Sequence, residues 1–311
     1  MKIKKALVIG PSGIGQAHIR ELLKTKISEI ALYGKKYKKK RFQESNILKA
    51  KHLKKRNFKN LNQIKNYKPD ITCICSPLYM HFEHIKKCYK YSKKIIIEKP
   101  FFWLKAEKKK NIEKQTLLLL NKLKNKAIIN LPMISLARQL LNKNEIPKKI
   151  KKFKFEYYTK GKQTFDEIPI DLLPHAISFF LTIKKRRKIN FIILNVKKNK
   201  FSWSTKMIIN NTVCEFLFSQ DRHQNESQLK FKINNHTYKR KQIVVQNEYI
   251  NTIIKNHNKK IKIKNPMSES INQVIKSSSK KLITSKNHEV TYEIAKLTNK
   301  LINWNKMRKL V

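Results

Sequence analysis

At 311 residues with 40% apolar side chains, the chain is long enough for two domains with sizeable cores, on the usual scale of about 100–200 residues each. No window of about 18 residues is apolar and uncharged, and the chain begins straight into a strand pattern, so neither a membrane span nor a signal peptide is expected. Lys and Arg number 72 against 20 Asp and Glu, a net charge of +52, which ordinarily points to nucleic acid or an anionic surface.

The distribution of that charge argues against such a partner. Lysines are scattered through every segment and accompanied by many Asn and Ile and only five Gly, a mixture that AT-biased coding produces without selection. No RNA-binding signature or zinc-finger spacing accompanies them, so no specific nucleic-acid partner is expected, only weak polyanion binding at low salt. Cys73, Cys75, Cys88 and Cys214 lack CxxC or metal-ligand spacing. They read as reduced, buried cysteines of a cytoplasmic protein that binds no metal.

In chain order, the first element is the most informative. Ala6–Ile9 is a short apolar strand that meets a glycine-rich turn and then a helical pattern through Lys24, the grammar of a phosphate-cradling βα unit. Gly10 and Gly15 fit the first and third places of the dinucleotide fingerprint, and Ser12 stands at the second. Gly13 keeps the turn permissive, and three of the chain's five glycines lie here. Glu29–Tyr33 is the second strand. No acid stands where NAD-preferring domains hold the ribose; the strand runs instead into Gly34, Lys35, Lys36, Tyr37 and Lys38, suited to a 2′-phosphate, so NADP is preferred over NAD.

Asp70–Cys75 reads as a buried strand, followed by Ser76-Pro77 and a helix carrying His81. That turn falls at the carboxyl edge of the sheet, where ligands of open α/β folds bind. Lys94–Ile97 is the next strand and ends in Glu98-Lys99-Pro100; a lysine there is placed to hydrogen-bond a substrate oxygen, although a charged turn accounts for the same residues. A helix around Asn111–Leu123 and a strand at Ala127–Asn130 complete the alternation. Beyond about residue 133, short alternating runs at Lys149–Tyr158, Asn190–Val196, Ser202–Ile209, Thr212–Ser219, Gln228–Ile233 and Thr237–Val245 predict an antiparallel sheet with one wet face. Asn210-Asn211 and Asn234-Asn235 supply turns, and Ser268–Lys276 and Thr291–Trp304 read as helices.

One helix interrupts the sheet, Asp171-Leu-Leu-Pro-His175-Ala-Ile-Ser-Phe-Phe. Asp171 reads as its N-cap and Pro174 as a first-turn proline. Spacing of four brings Asp171 near His175, an arrangement that favours the imidazolium and suits a histidine exchanging a proton with an alcohol or carbonyl. A capping aspartate beside a packed histidine is the other reading.

Taken together, the glycine loop with His18 downstream, Ser76-Pro77 with His81, Glu98-Lys99-Pro100 and the Asp171-x-x-x-His175 helix resemble the glucose-fructose oxidoreductase / inositol dehydrogenase family (Gfo/Idh/MocA) over nearly the whole chain. The resemblance implies an α/β protein: a doubly wound parallel Rossmann domain over residues 1–130, and an α+β domain with an open, predominantly antiparallel sheet over 131–311, whose last helices have the option of packing back on the first. It implies NAD(P) as cofactor, homodimers or homotetramers, and hydride transfer between nicotinamide and a hydroxyl or carbonyl carbon of a sugar, sugar derivative or cyclitol, an anionic sugar being compatible. By resemblance Lys99 contacts nicotinamide and substrate, His175 is the acid/base, and Asp171 orients substrate or histidine. Gly10, Ser12, Gly13, Ile14 and Gly15 line the phosphates; Lys35, Lys36, Ser76, Pro77, His81 and Glu98 complete the cofactor set. Ser12, the missing ribose acid, and Glu167-Ile168-Pro169 in place of a glycine pair depart from the family pattern. A catalytically silent NAD(P)-binding regulator and a basic nucleic-acid-associated protein are the alternatives.

Overall fold

The computed structural model describes residues 4–25, 27–34, 53–104, 111–124, 126–161, 163, 166–224, 227–245, 248–276 and 284–307. Backbone packing divides the chain into two units, Met1–Asn130 with Ser270–His288, and Leu131–Glu269 with Glu289–Val311. No helix among the described residues is long and apolar enough to cross a membrane.

The first unit alternates strand and helix: β1 (Lys5–Ile9), α1 (Ile14–Leu23), β2 (Glu29–Tyr33), β3 (Lys54–Asn57), α2 (Ile64–Tyr67), β4 (Ile71–Ile74), α3 (His81–Cys88), β5 (Lys94–Glu98), α4 (Ile112–Lys122) and β6 (Ala127–Asn130). The strands form a parallel sheet in the order β3-β2-β1-β4-β5-β6. Strands covered on both faces must be apolar at every position, which is why β5 carries Ile95, Ile96 and Ile97 in succession, all buried. The sheet order reverses between β1 and β4, so the loops after these strands flank the crevice where open α/β sheets bind ligands.

The two edges of this sheet are protected differently. β3 is Lys-Lys-Arg-Asn and fully exposed, a charged edge that discourages strand addition. Sequence periodicity does not reveal it, because a strand with no buried face has no apolar alternation. At the other edge, the His288 ring donates from Nε2 to the Ala127 carbonyl at 2.9 Å, and Asn287 Nδ2 donates to the Ile129 carbonyl. Nearby, the fully buried Lys94 donates from Nζ to the Val274 carbonyl at 2.8 Å. That carbonyl belongs to the last turn of α7 (Pro266–Lys276), where the helix dipole favours a cation. Burial holds the Lys94 ammonium below its usual pKa.

In the second unit, α5 (Pro132–Asn142) precedes β7 (Lys152–Thr159), α6 (Glu167–Ile183), β8 (Phe191–Asn199), β9 (Ser202–Ile209), β10 (Thr212–Gln220), β11 (Gln228–Ile233), β12 (His236–Val245), β13 (Glu248–Lys255) and β14 (Lys259–Ile263); α8 (Thr284–Met307) ends the chain's described part. The sheet order is β14-β13-β12-β11-β7-β10-β9-β8, and β7–β10 alone pairs in parallel. Alternation sends Phe153, Phe155, Phe216, Phe218 and Phe231 to one buried face. There Phe179 and Phe180 of α6 meet them at ring separations of 4.7–6.1 Å. The opposite face leaves Ile192, Leu194, Ile243 and Ile250 exposed, Ile192 by 62%. Asn210 and Asn211 both take positive φ, as a two-residue hairpin turn requires. β13, β14 and α5 lie beyond the elements read from sequence.

The start of α6 corrects one expectation. Its N-cap position is Asp166, with Glu167 first in the helix, so Asp171 lies in the second turn and does not cap it. Pro169 is the proline of the first turn, where the amide it lacks has no helical partner; Pro174 lies inside and removes the hydrogen bond to the Ile170 carbonyl. Burial of Ile168, Ile170, Leu172 and Leu173 holds this segment helical through that lost bond.

Candidate functional site

The loop after β1 is built around close approach. Gly10 has φ +75°, and a Cβ there would stand 2.6 Å from the Cys75 carbonyl oxygen, while one on Gly15 would stand 2.1 Å from that of Gly10. These two glycines let the β1 turn, the end of β4 and the first turn of α1 pack against one another. Gly13 differs: its φ is +56°, yet a Cβ would meet nothing within 4 Å. The turn therefore needs glycine for its backbone and leaves open space above it. Ser12, Gly13 and Ile14 are exposed, and among the described residues their amides donate to no protein acceptor. Three successive N–H groups with no acceptor among the described residues thus stand at the N-terminus of a ten-residue helix, where the helix dipole favours an anion. Lys35 and Lys36 lie outside the described residues.

Beneath the end of β5 lies a buried charged group. Glu98 is 5% exposed, and its Oε1 accepts from His18 Nε2 of α1 at 2.5 Å and from Asn130 Nδ2 of β6 at 2.5 Å. Burial pushes the Glu98 carboxyl upward, but the hydrogen bond and charge of His18, the Asn130 amide and the Lys99 charge bring it below its ordinary value. For His18 burial works against the charge, neighbouring Cys75 and Cys73 work for it, and the net shift is well upward. The Cys75 thiol is itself pushed up to about 12 by burial and is neutral near pH 7, so the anion that holds the His18 proton is Glu98. A buried imidazolium–carboxylate pair thus fixes the strand end from which Lys99, partly exposed, projects.

The loop after β4 is locked by two further histidines. Ser76 Oγ lies 2.8 Å from His84 Nδ1. Burial lowers the His84 pKa to about 4, so near pH 7 its neutral ring takes part in this bond. His81 sits between loops: Nε2 is 2.7 Å from the Ser76 carbonyl, and Nδ1 is 3.0 and 3.1 Å from those of Phe101 and Pro100. Burial lowers the His81 pKa against the upward pull of these carbonyls. Its ring joins the Ser76 turn to the exit of the Glu98-Lys99-Pro100 segment, whose Lys99–Pro100 peptide is cis. Pro77 is exposed.

In the second unit, His175 is 8% exposed, and its imidazole stands edge to face with Tyr157 of β7 at 5.3 Å. Asp171 Oδ2, one turn earlier, accepts from Gln220 Nε2 of β10 at 2.6 Å. The Arg240 guanidinium of β12 also lies against Tyr157, 5.9 Å from the ring centroid. The covered face of this sheet thus ends in a polar cluster on an otherwise aromatic floor.

The family model described as an oxidoreductase family with an NAD-binding Rossmann fold, GFO_IDH_MocA, matches residues 4–117. That match covers the first sheet's strands β1 to β5 and the start of α4. Solved structures resemble the chain over nearly its whole length. UDP-N-acetylglucosamine 3-dehydrogenase GnnA from Acidithiobacillus ferrooxidans superposes with a TM-score of 0.66 at 14% identity, over 96% of this chain and 97% of that one. A dehydrogenase (MviM) from Clostridium difficile gives 0.66 at 17% identity over 98% and 100%. Biliverdin reductase from Synechocystis, solved with biliverdin and NADP+, gives 0.60 at 10% identity over 96% and 98%. At these identities the likeness is one of fold. No curated protein matches the sequence.

Within the first unit, His18, Ser76, His81 and Glu98 are legible in the sequence as single residues, whereas their connections are not. Asn130 and His84 were missed. His84 carried one usable signal, its i,i+3 relation to His81 on α3. Asn130, the last residue of an apolar strand, carried none. In the second unit Tyr157, Gln220 and Arg240 were missed; the alternation of Tyr238, Arg240 and Gln242 marks Arg240 as inward-facing once the strand is recognised.

Proposed function

We propose that the protein is an NAD(P)-dependent dehydrogenase or reductase acting on a CH–OH or carbonyl carbon of a sugar, sugar derivative or cyclitol, with NADP preferred over NAD. The observation that carries this reading is the cradle of free amides at Ser12, Gly13 and Ile14, at the reversal point of a parallel sheet in a domain of the NAD-binding oxidoreductase family. Dehydrogenases among the structural neighbours support it.

In this reading the Ser12–Ile14 amides hold the pyrophosphate, the Gly13 gap admits it, and Ser76, Pro77 and His81 shape the wall beside it. Bound nicotinamide supplies or accepts the hydride. Lys99 donates a hydrogen bond to the substrate oxygen and stabilises negative charge there, while His175 takes the hydroxyl proton or returns it. Glu98 acts through its strand end, since its carboxylate is engaged by His18 and Asn130. Asp171 orients the substrate from the second turn of α6. We further propose that copies associate through the open sheet face, whose exposed Ile192, Leu194, Ile243 and Ile250 support pairing.

The deciding experiment is calorimetric titration with NADPH and NADH at about 0.15 M salt, which screens general cationic attraction, with Lys35→Glu as a control and a sugar and keto-sugar screen read by nicotinamide absorbance. NADPH binding that weakens in the variant, with turnover of at least one sugar, is the expected result. Failure of both nucleotides to bind would overturn the reading.

A further inference from the structure

Arg240 is out of place for a side chain of the sheet's covered face. The register puts it in a row with apolar neighbours: Tyr157 pairs with Phe218 on one side and Leu229 on the other, and Arg240 pairs with Ile253, which pairs with Ile261. Because Lys230 pairs with Lys239 and Phe231 with Tyr238, the same register carries Leu229 opposite Arg240. Phe218, Leu229, Ile253 and Ile261 are all buried. A guanidinium among them, partly buried itself, requires compensation.

Its own unit supplies little. Among the described residues Arg240 has no carboxylate partner, and its contact is the Tyr157 ring. Asp171, the acid on the same polar cluster, accepts from Gln220. Nor does the lysine excess of this chain account for the residue, since only nine of its 72 basic side chains are arginine. Arginine differs from lysine in presenting a planar fork that matches an oxyanion with two parallel hydrogen bonds. The ring contacts of 5.3 Å from His175 to Tyr157 and 5.9 Å from Tyr157 to Arg240 gather imidazole and guanidinium around one tyrosine. A ligand whose hydroxyl meets His175 would therefore have Arg240 beside the same tyrosine to receive a charged substituent.

We propose that Arg240 is the anchor of an oxyanion subsite that recognises a carboxylate or phosphate carried by the substrate. This rests on the dehydrogenase reading above only in calling the ligand a substrate; the anion site itself can be tested without turnover. The probes are glucuronate and glucose 6-phosphate, with glucose as the uncharged reference, titrated into the full chain at about 0.15 M salt. Arg240→Gln is expected to weaken one of the two anions roughly tenfold or more, a loss typical of a charged hydrogen-bond pair, and to leave glucose unchanged. Arg240→Lys should recover part of the loss, because charge returns without the fork. Lys239→Gln, which removes the same charge from the neighbouring exposed position, should change nothing. The anion that responds identifies the source as carboxylate or phosphate.

Equal weakening by Lys239→Gln and Arg240→Gln would reduce the effect to net charge and overturn the proposal, as would unaltered binding in Arg240→Gln or no binding of either anion to the unmodified protein. Near-ultraviolet circular dichroism of each variant separates lost binding from lost folding, and Arg240→Met provides a second removal should the glutamine variant fail to fold. Anion binding through Arg240 without nicotinamide-dependent turnover would leave the subsite standing and sink the dehydrogenase reading. Turnover of neutral sugars that is indifferent to Arg240 would do the reverse.

Discussion

At the end of β5, Glu98 is surrounded by donors from its own chain, His18 and Asn130 both at 2.5 Å; on the covered face of the second sheet, Arg240 has a tyrosine ring beside it and no carboxylate among the described residues. Both are charges among largely apolar neighbours. The first is matched internally and serves the geometry of a strand end. The second is left unmatched, the condition under which an incoming anion gains most. Charge satisfaction, more than charge itself, separates a structural group from a recognition group in this molecule.

The largest expected effect breaks the matched side. Glu98→Ala strands the His18 imidazolium and should destabilise the protein by about 3–5 kcal/mol, the usual consequence of removing one partner of a buried pair. Arg240→Gln should cost no more than about 1 kcal/mol, the scale of one cation–aromatic contact. Urea unfolding compares the two, and equal losses would erase the contrast. Next in size, Lys99→Ala and His175→Ala should each lower turnover by about 10²-fold, or roughly 2.7 kcal/mol of barrier, with nucleotide affinity nearly intact. Steady-state rates and calorimetry check both, and full activity in either variant would remove that residue from the chemistry.

Acid sharpens the comparison from the first unit's side. His84 titrates near 4 in the fold because burial disfavours its charge, whereas an unfolded chain takes up that proton near 6.5. The unfolded state therefore gains protons first, and stability should fall as pH drops from about 6.5 towards 4, by up to about 1.4 kcal/mol per pH unit from this residue. In His84→Asn the slope over that window should flatten, as unfolding midpoints across pH would show. Gly13→Ala tests the cradle itself: with nothing within 4 Å of the new methyl, the positive φ alone should cost about 1–2 kcal/mol. Its nucleotide affinity should drop more than its stability suggests if the open space is the cradle.

Much of the fold was legible because it is written locally. The turn at Gly10–Gly15 needs glycine for positive φ and close approach, β5 needs unbroken isoleucine because both its faces are covered, and the second sheet alternates because one of its faces is wet. What escaped was non-local or unpatterned. His18, Glu98 and Asn130 meet across separations of 80 and 32 residues, which no spacing rule reaches. β3 has no buried face and hence no alternation. Asp171 reads as a cap with Pro174 in the first turn, yet the burial of Ile168 and Ile170 carries the helix start back to Glu167. Arg240 was hidden among lysines, and only the pairing register shows which face it occupies.

The buried Lys94, held by the last turn of α7, and the β6 carbonyls held by Asn287 and His288 set a timetable for biosynthesis. The strands of the first unit are finished by Asn130, yet the carbonyl that accepts from Lys94 and the side chains that shield the β6 edge lie within Ser270–His288. At about 5–20 residues per second, translation leaves that edge and that ammonium uncovered for roughly 7–30 seconds. A nascent chain in this interval presents an open parallel edge strand to whatever is nearby, which makes it a candidate client for a ribosome-associated chaperone. A fragment ending at Asn130 would remain in that state permanently.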